Sequence, residues 1–392
     1  MSIEKVGKCC IGCLSCYFSC PVNAIEYSLN ELNELSIKVN NSKCIKCKKC
    51  ESTCPVLNRS LSSNPIQKIY CAFSSEEISR LSSSGGVFYV LAKLFLMNGW
   101  YVCGAIYSDD NRFVKHIITN NITEVEKMRG SKYIESNLVE LYLPMDDILK
   151  NTKANVLFSG TPCQCAAIKS HYKQYVERIF FVEVICNGAM APLVLDLEID
   201  KKELEHKSKV VTYGMRYKKD SYLPLYARTL YANGYEDIES FYQTSLGLIY
   251  GSRIVLRECC YKCRFKGMNR VGDITIGDYH GFDIKEEIDA TFGKSTVTAN
   301  NEKGLSLINM LQERKLMNFY PAINKMDAIK NNSRLLICGF APCRLQREKF
   351  KKIVSKYGIV KATLYAKKFY QKRYVIVRKI LERIHIWLCL KK

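Results

Sequence analysis

From Ile66 onward, short apolar runs alternate with longer stretches in which apolar residues recur at helical spacing. Residues 69–73 and 100–106 read as strands on either side of a helix over about 87–98. Residues 156–158 form a short buried strand, and Ser159-Gly160-Thr161-Pro162-Cys163 then turns the chain into a helix over 164–172. The next strand is 179–185. A helical stretch follows Pro192, then antiparallel-looking strands at 210–217 and 226–231, a helix near 242–250 and a strand at 273–276. Beyond Gly304 the pattern is mostly helical. Strand–helix alternation of this kind predicts an α/β fold, α+β overall, with a mainly parallel core sheet. The most apolar stretch, 87–107, is interrupted by Lys93 and by Asn98-Gly99. It therefore predicts a buried helix and a strand, not a bilayer span. The pattern divides the chain into a small domain at 1–57, a polar linker at 58–65, a larger domain in two parts (66–200 and 201–340) and a basic helical tail at 341–392.

Cysteine organises the first 57 residues. Cys10, Cys13, Cys16 and Cys20 recur, shifted by 34 residues, as Cys44, Cys47, Cys50 and Cys54, and Pro21 and Pro55 close the two runs. C-x2-C-x2-C-x3-C-P is the bacterial ferredoxin spacing for two cubane 4Fe-4S clusters, in which the fourth cysteine of each run ligates the other cluster. It assigns Cys10, Cys13, Cys16 and Cys54 to one cluster, and Cys44, Cys47, Cys50 and Cys20 to the other. The closing proline, with fixed φ and no N–H, leads the chain out of the site. Zinc also uses C-x2-C pairs, but normally two separated pairs and not three cysteines in one loop. Cys9 reads as a bystander. Thiolates that hold iron must stay reduced, so 20 cysteines point to the cytoplasm and not to a disulfide framework. The eight residues before Cys9 are too short and too polar for a secretory signal.

Charge changes the picture at the other end. Of the net +21, residues 344–392 carry +14: 16 Lys/Arg against Glu348 and Glu382. Ile376, Ile380, Ile384 and Trp387 recur there at helical spacing beside Arg378, Lys379 and Arg383. Two readings stay open. One is an interfacial amphipathic helix, giving peripheral contact with the inner membrane surface; the other is a packed terminal helix with a solvated basic face. No nucleic-acid module is recognisable.

Five further stretches carry candidate chemistry. Ser82-Ser83-Ser84-Gly85-Gly86 precedes an apolar helix, as an anion site or as an ordinary N-cap would. Gly160-Thr-Pro-Cys163 ends a buried strand, where α/β domains place ligands, and Cys163 there suits a nucleophile, a ligand or an apolar filler. Cys186 ends the next strand, and Cys260-Tyr-Lys-Cys263 is another C-x2-C pair, giving with Cys163 the four thiols a cubane needs, or a zinc pair with structural cysteines. Asp273-Ile-Thr-Ile-Gly277-Asp278 runs a strand into a glycine-bounded turn, a ligand contact or a plain hairpin. Five histidines exclude a histidine-rich metal site. No G-x-G-x-x-G or G-x-x-x-x-G-K-[ST] is present, which argues against Rossmann-type NAD binding and nucleotide hydrolysis.

In this order, Ser84-Gly85-Gly86, Gly130-Ser131-Lys132-Tyr133, Gly160-Thr161-Pro162-Cys163-Gln164, Ile185-Cys186-Asn187-Gly188, Cys260-Tyr-Lys-Cys263 and Gly272-Asp273-Ile-Thr-Ile-Gly277-Asp278 form a set. Through them residues 66–300 resemble the beta subunits of coenzyme F420-reducing hydrogenase and formate dehydrogenase. The resemblance implies FAD beside a third 4Fe-4S cluster, with Cys163, Cys186, Cys260 and Cys263 as its ligands. It places Ser84, Gly85, Gly86, Ser131, Lys132, Asn187, Gly277 and Asp278 toward the flavin, and assigns no catalytic residue. Where the family often has Cys-His-Gly, this chain has Cys186-Asn187-Gly188, which puts the substrate in doubt. The implied function is an oxidoreductase passing electrons between a low-potential donor such as ferredoxin, the clusters and FAD, to or from an organic hydride acceptor such as coenzyme F420. The alternatives are a non-catalytic electron-transfer subunit of a hydrogenase or dehydrogenase, or an oxidoreductase of polysaccharide biosynthesis. Self-association stays open.

Overall fold

The computed structural model describes residues 3–370 except 59, 60, 62, 287, 289, 340 and 341, together with 379–381, 383, 384, 386 and 387. The cysteine-rich part folds on a 3-10 helix (Ile3–Cys9), two four-residue helices (Ser15–Phe18 and Lys49–Ser52) and an antiparallel hairpin of β1 (Ile25–Leu29) and β2 (Leu35–Val39). Ile3, Val6, Ile25, Val39 and Val56 form its small core around Cys16 and Cys54.

Beyond it the strands are β3 (Asn64–Pro65), β4 (Lys68–Phe73), β5 (Tyr101–Tyr107), β6 (Val114–Thr119), β7 (Ser136–Asn137), β8 (Val156–Gly160) and β9 (Ile179–Val184). Then come β10 (Val210–Tyr217), β11 (Tyr226–Tyr231), β12 (Glu236–Ser240), β13 (Asn269–Arg270), β14 (Ile274–Asp278), β15 (Ser295–Ala299) and β16 (Asn318–Pro321). Nine of them form one sheet in the order β16-β4-β15-β14-β9-β8-β5-β6-β7. Its middle, β14-β9-β8-β5, is parallel. β15, β4 and β16 on one side pair antiparallel with their neighbours; on the other side β6 is antiparallel to β5 and parallel to the short edge strand β7.

The parallel middle is buried on both faces, as its unbroken apolar runs demand. The period of two sorts the side chains. Leu157, Phe180 and Val182 pack toward the helices Val87–Met97 and Glu302–Glu313. Val156, Phe158, Ile179 and Phe181 pack toward the helices Tyr142–Asn151 and Pro162–His171. The cysteine-rich part sits on this second face, where Ile11, Cys13 and Phe18 join the core. Phe18 stacks on Tyr142 with ring centroids 4.4 Å apart.

A separate antiparallel sheet, β10-β11-β12, forms a third core with the helices Leu193–His206, Ser245–Ser252 and Arg344–Lys367. Phe350, Val354, Ile359, Ala362 and Ala366 of that last helix are buried, so the basic C-terminal region begins as a packed element with a solvated charged face. Ile376 and Arg378 lie outside the described residues, while Ile380, Ile384 and Trp387 are exposed. Among the described residues no helix is long and apolar enough to cross a membrane.

Candidate functional site

Because the middle strands run parallel, their carboxyl ends share one edge of the sheet, where open α/β sheets bind ligands. β8 delivers Gly160 and Thr161 to that edge. The Thr161 N–H donates to Gln164 Oε1 at 2.9 Å, starting the helix Pro162–His171 and placing Cys163 in its first turn. β9 ends one residue before Ile185-Cys186, and β14 ends in Gly277-Asp278. The 3-10 turn Glu258–Lys262 carries Cys260, with Cys263 as its cap.

These four cysteines face one another. Burial raises the Cys163 thiol well above its ordinary range, and the neighbouring Cys263, Cys186 and Cys260 push it the same way. Burial lifts Cys263 to about 12 and raises Cys186, on which Lys266 and Arg253 act in the opposite sense. A cavity of about 40 Å³ lies among the four. Three thiols that no spacing marks share its wall, Cys9, Cys259 and Cys338, and Cys338 Sγ accepts the Cys263 N–H at 3.2 Å. Among the described residues, no three His, Cys, Asp or Glu side chains close around a single ion. Thiolates around a cubane stand farther apart than that, and loading one would strip the protons that burial holds on Cys163, Cys186 and Cys263.

In the cysteine-rich part, Cys54 of the second run lies among Cys10, Cys13 and Cys16. Burial raises Cys13 well above its ordinary range, with Cys16, Cys10 and Cys54 adding, and pushes Cys16 up to about 12, with Cys10, Cys54 and Cys50 adding. Cys50, raised by burial, neighbours Cys47 and Cys20. Cys9 borders the small cavity with its thiol 3.9 Å from the Arg264 guanidinium.

A larger cavity, about 320 Å³, lies against the other side of Cys163, Cys186 and Cys260. That is the size of a cofactor pocket. The serine loop Ser82–Ser84 and Gly86 form one wall, Gly130–Tyr133 another, and Gly277-Asp278 with Asn187 the floor. Seven of the eight residues assigned toward a cofactor therefore meet in one place. Gly85 does not line it. Its N–H donates to Ser295 Oγ at 2.9 Å, and a Cβ there would stand 2.4 Å from the Ala72 carbonyl oxygen, so this glycine serves close packing on β4.

Lys132 donates to the carbonyls of Met128, Arg129 and Gly130 at 3.1–3.3 Å, and burial pushes its ammonium down to about 7. Asn187 accepts from Arg253 through its backbone and side-chain oxygens. Sequence reading missed the residue that ties the walls together. Arg216, on β10, donates to both oxygens of Asp278 at 2.8 and 3.2 Å, to Tyr133 Oη at 2.8 Å and to the Ser83 carbonyl at 2.7 Å. It lies 62 residues from Asp278 in a strand with no motif of its own, so nothing local could mark it. The Nε atoms of Arg216 and Arg129 are buried without a hydrogen-bond partner, and both residues line the cavity. Orphaned guanidinium N–H groups beside a serine–glycine loop fit an anionic group such as a phosphate.

The cysteine-rich part closes the cavity. Ile11, Gly12 and Cys13 line it, and Ile11 also borders the small cavity. Arg257 pins this loop: Nε donates to the Cys10 carbonyl at 3.0 Å, one terminal nitrogen to the Leu35 carbonyl at 2.7 Å and the other to Glu135 at 2.5 Å. Tyr142 Oη donates to the Cys13 carbonyl at 2.9 Å.

Two family models match the chain. Residues 9–58 match the 4Fe-4S dicluster domain, and residues 153–325 match the C terminus of the coenzyme F420 hydrogenase/dehydrogenase beta subunit. The family resemblance drawn from the motifs is thereby shown, and with it an iron–sulfur, electron-transfer redox role. A solved structure of the F420-reducing NiFe hydrogenase complex from Methanosarcina barkeri is similar at 14% identity with a TM-score of 0.43, covering 70% of this chain and 90% of that one. No curated protein matches.

Proposed function

We propose, for a chain that joins a 4Fe-4S dicluster domain to a coenzyme F420 hydrogenase/dehydrogenase beta-subunit domain, that it is an iron–sulfur flavoprotein oxidoreductase. It passes electrons between a low-potential protein such as ferredoxin and an organic hydride acceptor such as coenzyme F420 or a related substrate. The observation that carries this reading is the shared wall. Cys163, Cys186 and Cys260 border both the cysteine-lined cavity and the larger polar one, and the Ile11–Cys13 loop reaches the same place.

Cys163, Cys186, Cys260 and Cys263 would hold a third 4Fe-4S cluster. Ser84, Gly86, Ser131, Lys132, Asn187, Gly277 and Asp278, with Arg216, would hold FAD. A flavin, when bound, exchanges one or two electrons and so links single-electron traffic to hydride chemistry. The protein supplies position and charge. Arg216 keeps Asp278, Tyr133 and the serine loop in register, and the apolar cover of Ile11 and Ile185 keeps water from the cysteine side. Anaerobic purification with iron, sulfide and flavin quantification tests the reading: about twelve irons and one FAD per chain are expected for three cubanes. About eight irons without flavin would leave only the dicluster domain, and zinc without iron would end every redox version. A loaded chain that reduces a dye but no organic acceptor would make it an electron-transfer subunit instead.

Lys132 gives the site a pH signature. A lysine pushed down to about 7 is charged below that pH and neutral above it, and a bound anion raises the midpoint. FAD affinity, read by flavin fluorescence, is expected to weaken by up to roughly tenfold per pH unit from about 7 up to the raised midpoint of the complex, and to level off above it. Lys132→Met should bind more weakly at pH 6 and show no such dependence. A flat profile in the unaltered chain would remove Lys132 from the cofactor's reach.

A further inference from the structure

The two cysteine runs repeat in backbone as well as in sequence. Each short helix is entered through a residue at positive φ, Leu14 at 58° and Lys48 at 61°, and two residues earlier the conformation recurs at Gly12 (69°) and Lys46 (57°). The surroundings of the two halves are opposite. Gly12 lies under Arg257, where a Cβ would stand 2.8 Å from the guanidinium. Leu14 is 2% exposed and Ser15 is fully buried. Their repeat-mates Lys46, Lys48 and Lys49 are all exposed, as are Lys43 and Cys47. Ile11 lines both cavities, while its mate Ile45 is 62% exposed. In this pseudo-symmetric module the first loop, residues 11–15, faces the large domain, while its counterpart, residues 45–49, faces solvent. Lys46 also holds a left-handed backbone that its mate Gly12 adopts without steric cost, so a cation stands where glycine is conformationally preferred.

We infer that this outer loop, residues 43–49, is the docking face for an acidic one-electron carrier protein. The inference rests on the reading that both runs hold clusters, and it assigns the Cys20, Cys44, Cys47 and Cys50 group as the outer port and the Cys10, Cys13, Cys16 and Cys54 group as the inner relay. Four ammonium groups surround an exposed cysteine and one bare isoleucine, the charged rim and small apolar centre that suit a transient redox contact. The carboxylate that follows the loop in sequence, Glu51, is paired with Lys5 at 2.5 Å. In the exchange one electron leaves the reduced carrier, which is oxidised, and reduces the outer cluster by one; no bond forms or breaks and no proton is needed.

The choice to be tested is between this loop and the basic C-terminal region. The full chain, purified anaerobically with its iron, is titrated with a strongly acidic plant-type 2Fe-2S ferredoxin at low ionic strength. Affinity is read by calorimetry, and the rate of cluster bleaching by stopped flow. A Lys46→Glu/Lys48→Glu variant is expected to bind roughly tenfold more weakly or worse and to lose the salt dependence of the bleaching rate. The matched variant Lys356→Glu/Lys361→Glu, on the exposed side of the C-terminal helix, is expected to behave as the unaltered chain. Equal binding by the loop variant at unchanged iron content would overturn the docking face and leave the cluster reading standing. So would a loss confined to the C-terminal variant. An unaltered chain without iron would overturn both.

Discussion

If Cys163, Cys186, Cys260 and Cys263 hold a third cubane as proposed, a Cys163→Ser chain is expected to retain about eight irons against about twelve in the unaltered chain. Cubane clusters are held by soft thiolates, and a seryl oxygen is a poor substitute. Cys163 is the most informative of the four thiols to remove because of where its strand delivers it. It sits in the first turn of the helix Pro162–His171, on the boundary between the two cavities. The dicluster domain has its own core of Ile3, Val6, Ile25, Val39 and Val56, so its eight irons should survive. Reduction of the proposed FAD by a protein donor is then expected to stop, while a small chemical reductant still reaches it. Unchanged iron content would remove Cys163 from the ligand set and promote Cys259 or Cys338, which share the same small cavity.

The second large effect is on stability. Arg270 and Glu183 are 1% and 0% exposed, and Arg270 Nε donates to Glu183 across the middle of the structure. Arg270 also donates to the carbonyls of Phe265, Gly267 and Leu335 at 3.1–3.5 Å. Glu183 in turn accepts the N–H groups of Val271 and Gly272 and the Thr275 hydroxyl. The pair thus anchors the segment after Cys263, and the one before Cys338, to the strand that leads to Cys186. Arg270→Met leaves a carboxylate buried without its cation, a change that costs about 3–5 kcal/mol. The urea midpoint should fall accordingly, and iron should drop toward about eight before the dicluster signal is touched. Replacing both partners, with Glu183→Leu added, should recover much of the loss. An unchanged midpoint in Arg270→Met would show that the three remaining donors satisfy Glu183 alone.

Strands marked by strong apolar or alternating patterns were legible in the sequence. β10 and β11 coincide at both ends with the expected 210–217 and 226–231, and β8 and β9 follow their unbroken apolar runs. The helix expected near 242–250 begins at Ser245 because the Thr244 side chain accepts the Gly247 N–H and caps it there. β15 escaped notice for a physical reason. Its Ser295-Thr-Val-Thr-Ala sequence looks polar, yet the strand is wholly buried, with Thr298 donating to Asn300 at 2.6 Å and Thr296 to Asn332 at 3.1 Å. With β15, β16, β6 and β7 unseen, the expected mainly parallel sheet proved mixed, parallel in its middle and at the short β6–β7 edge and antiparallel elsewhere. The same division holds at the site. Cysteines announce themselves by spacing, and the glycine and serine loops by composition. Arg216, Arg257 and Cys338 depend on contacts between distant segments, and no local pattern encodes those.

Arg257 has a consequence for kinetics. A carrier domain on a loose tether must find its partner surface anew in every cycle, and its turnover then slows with solvent viscosity and tether length. Here one guanidinium holds the Cys10 and Leu35 carbonyls on one side and Glu135 on the other. The gap that an electron must tunnel is therefore set once, when the chain folds. No part of the cycle then waits on a search by this domain for its partner surface.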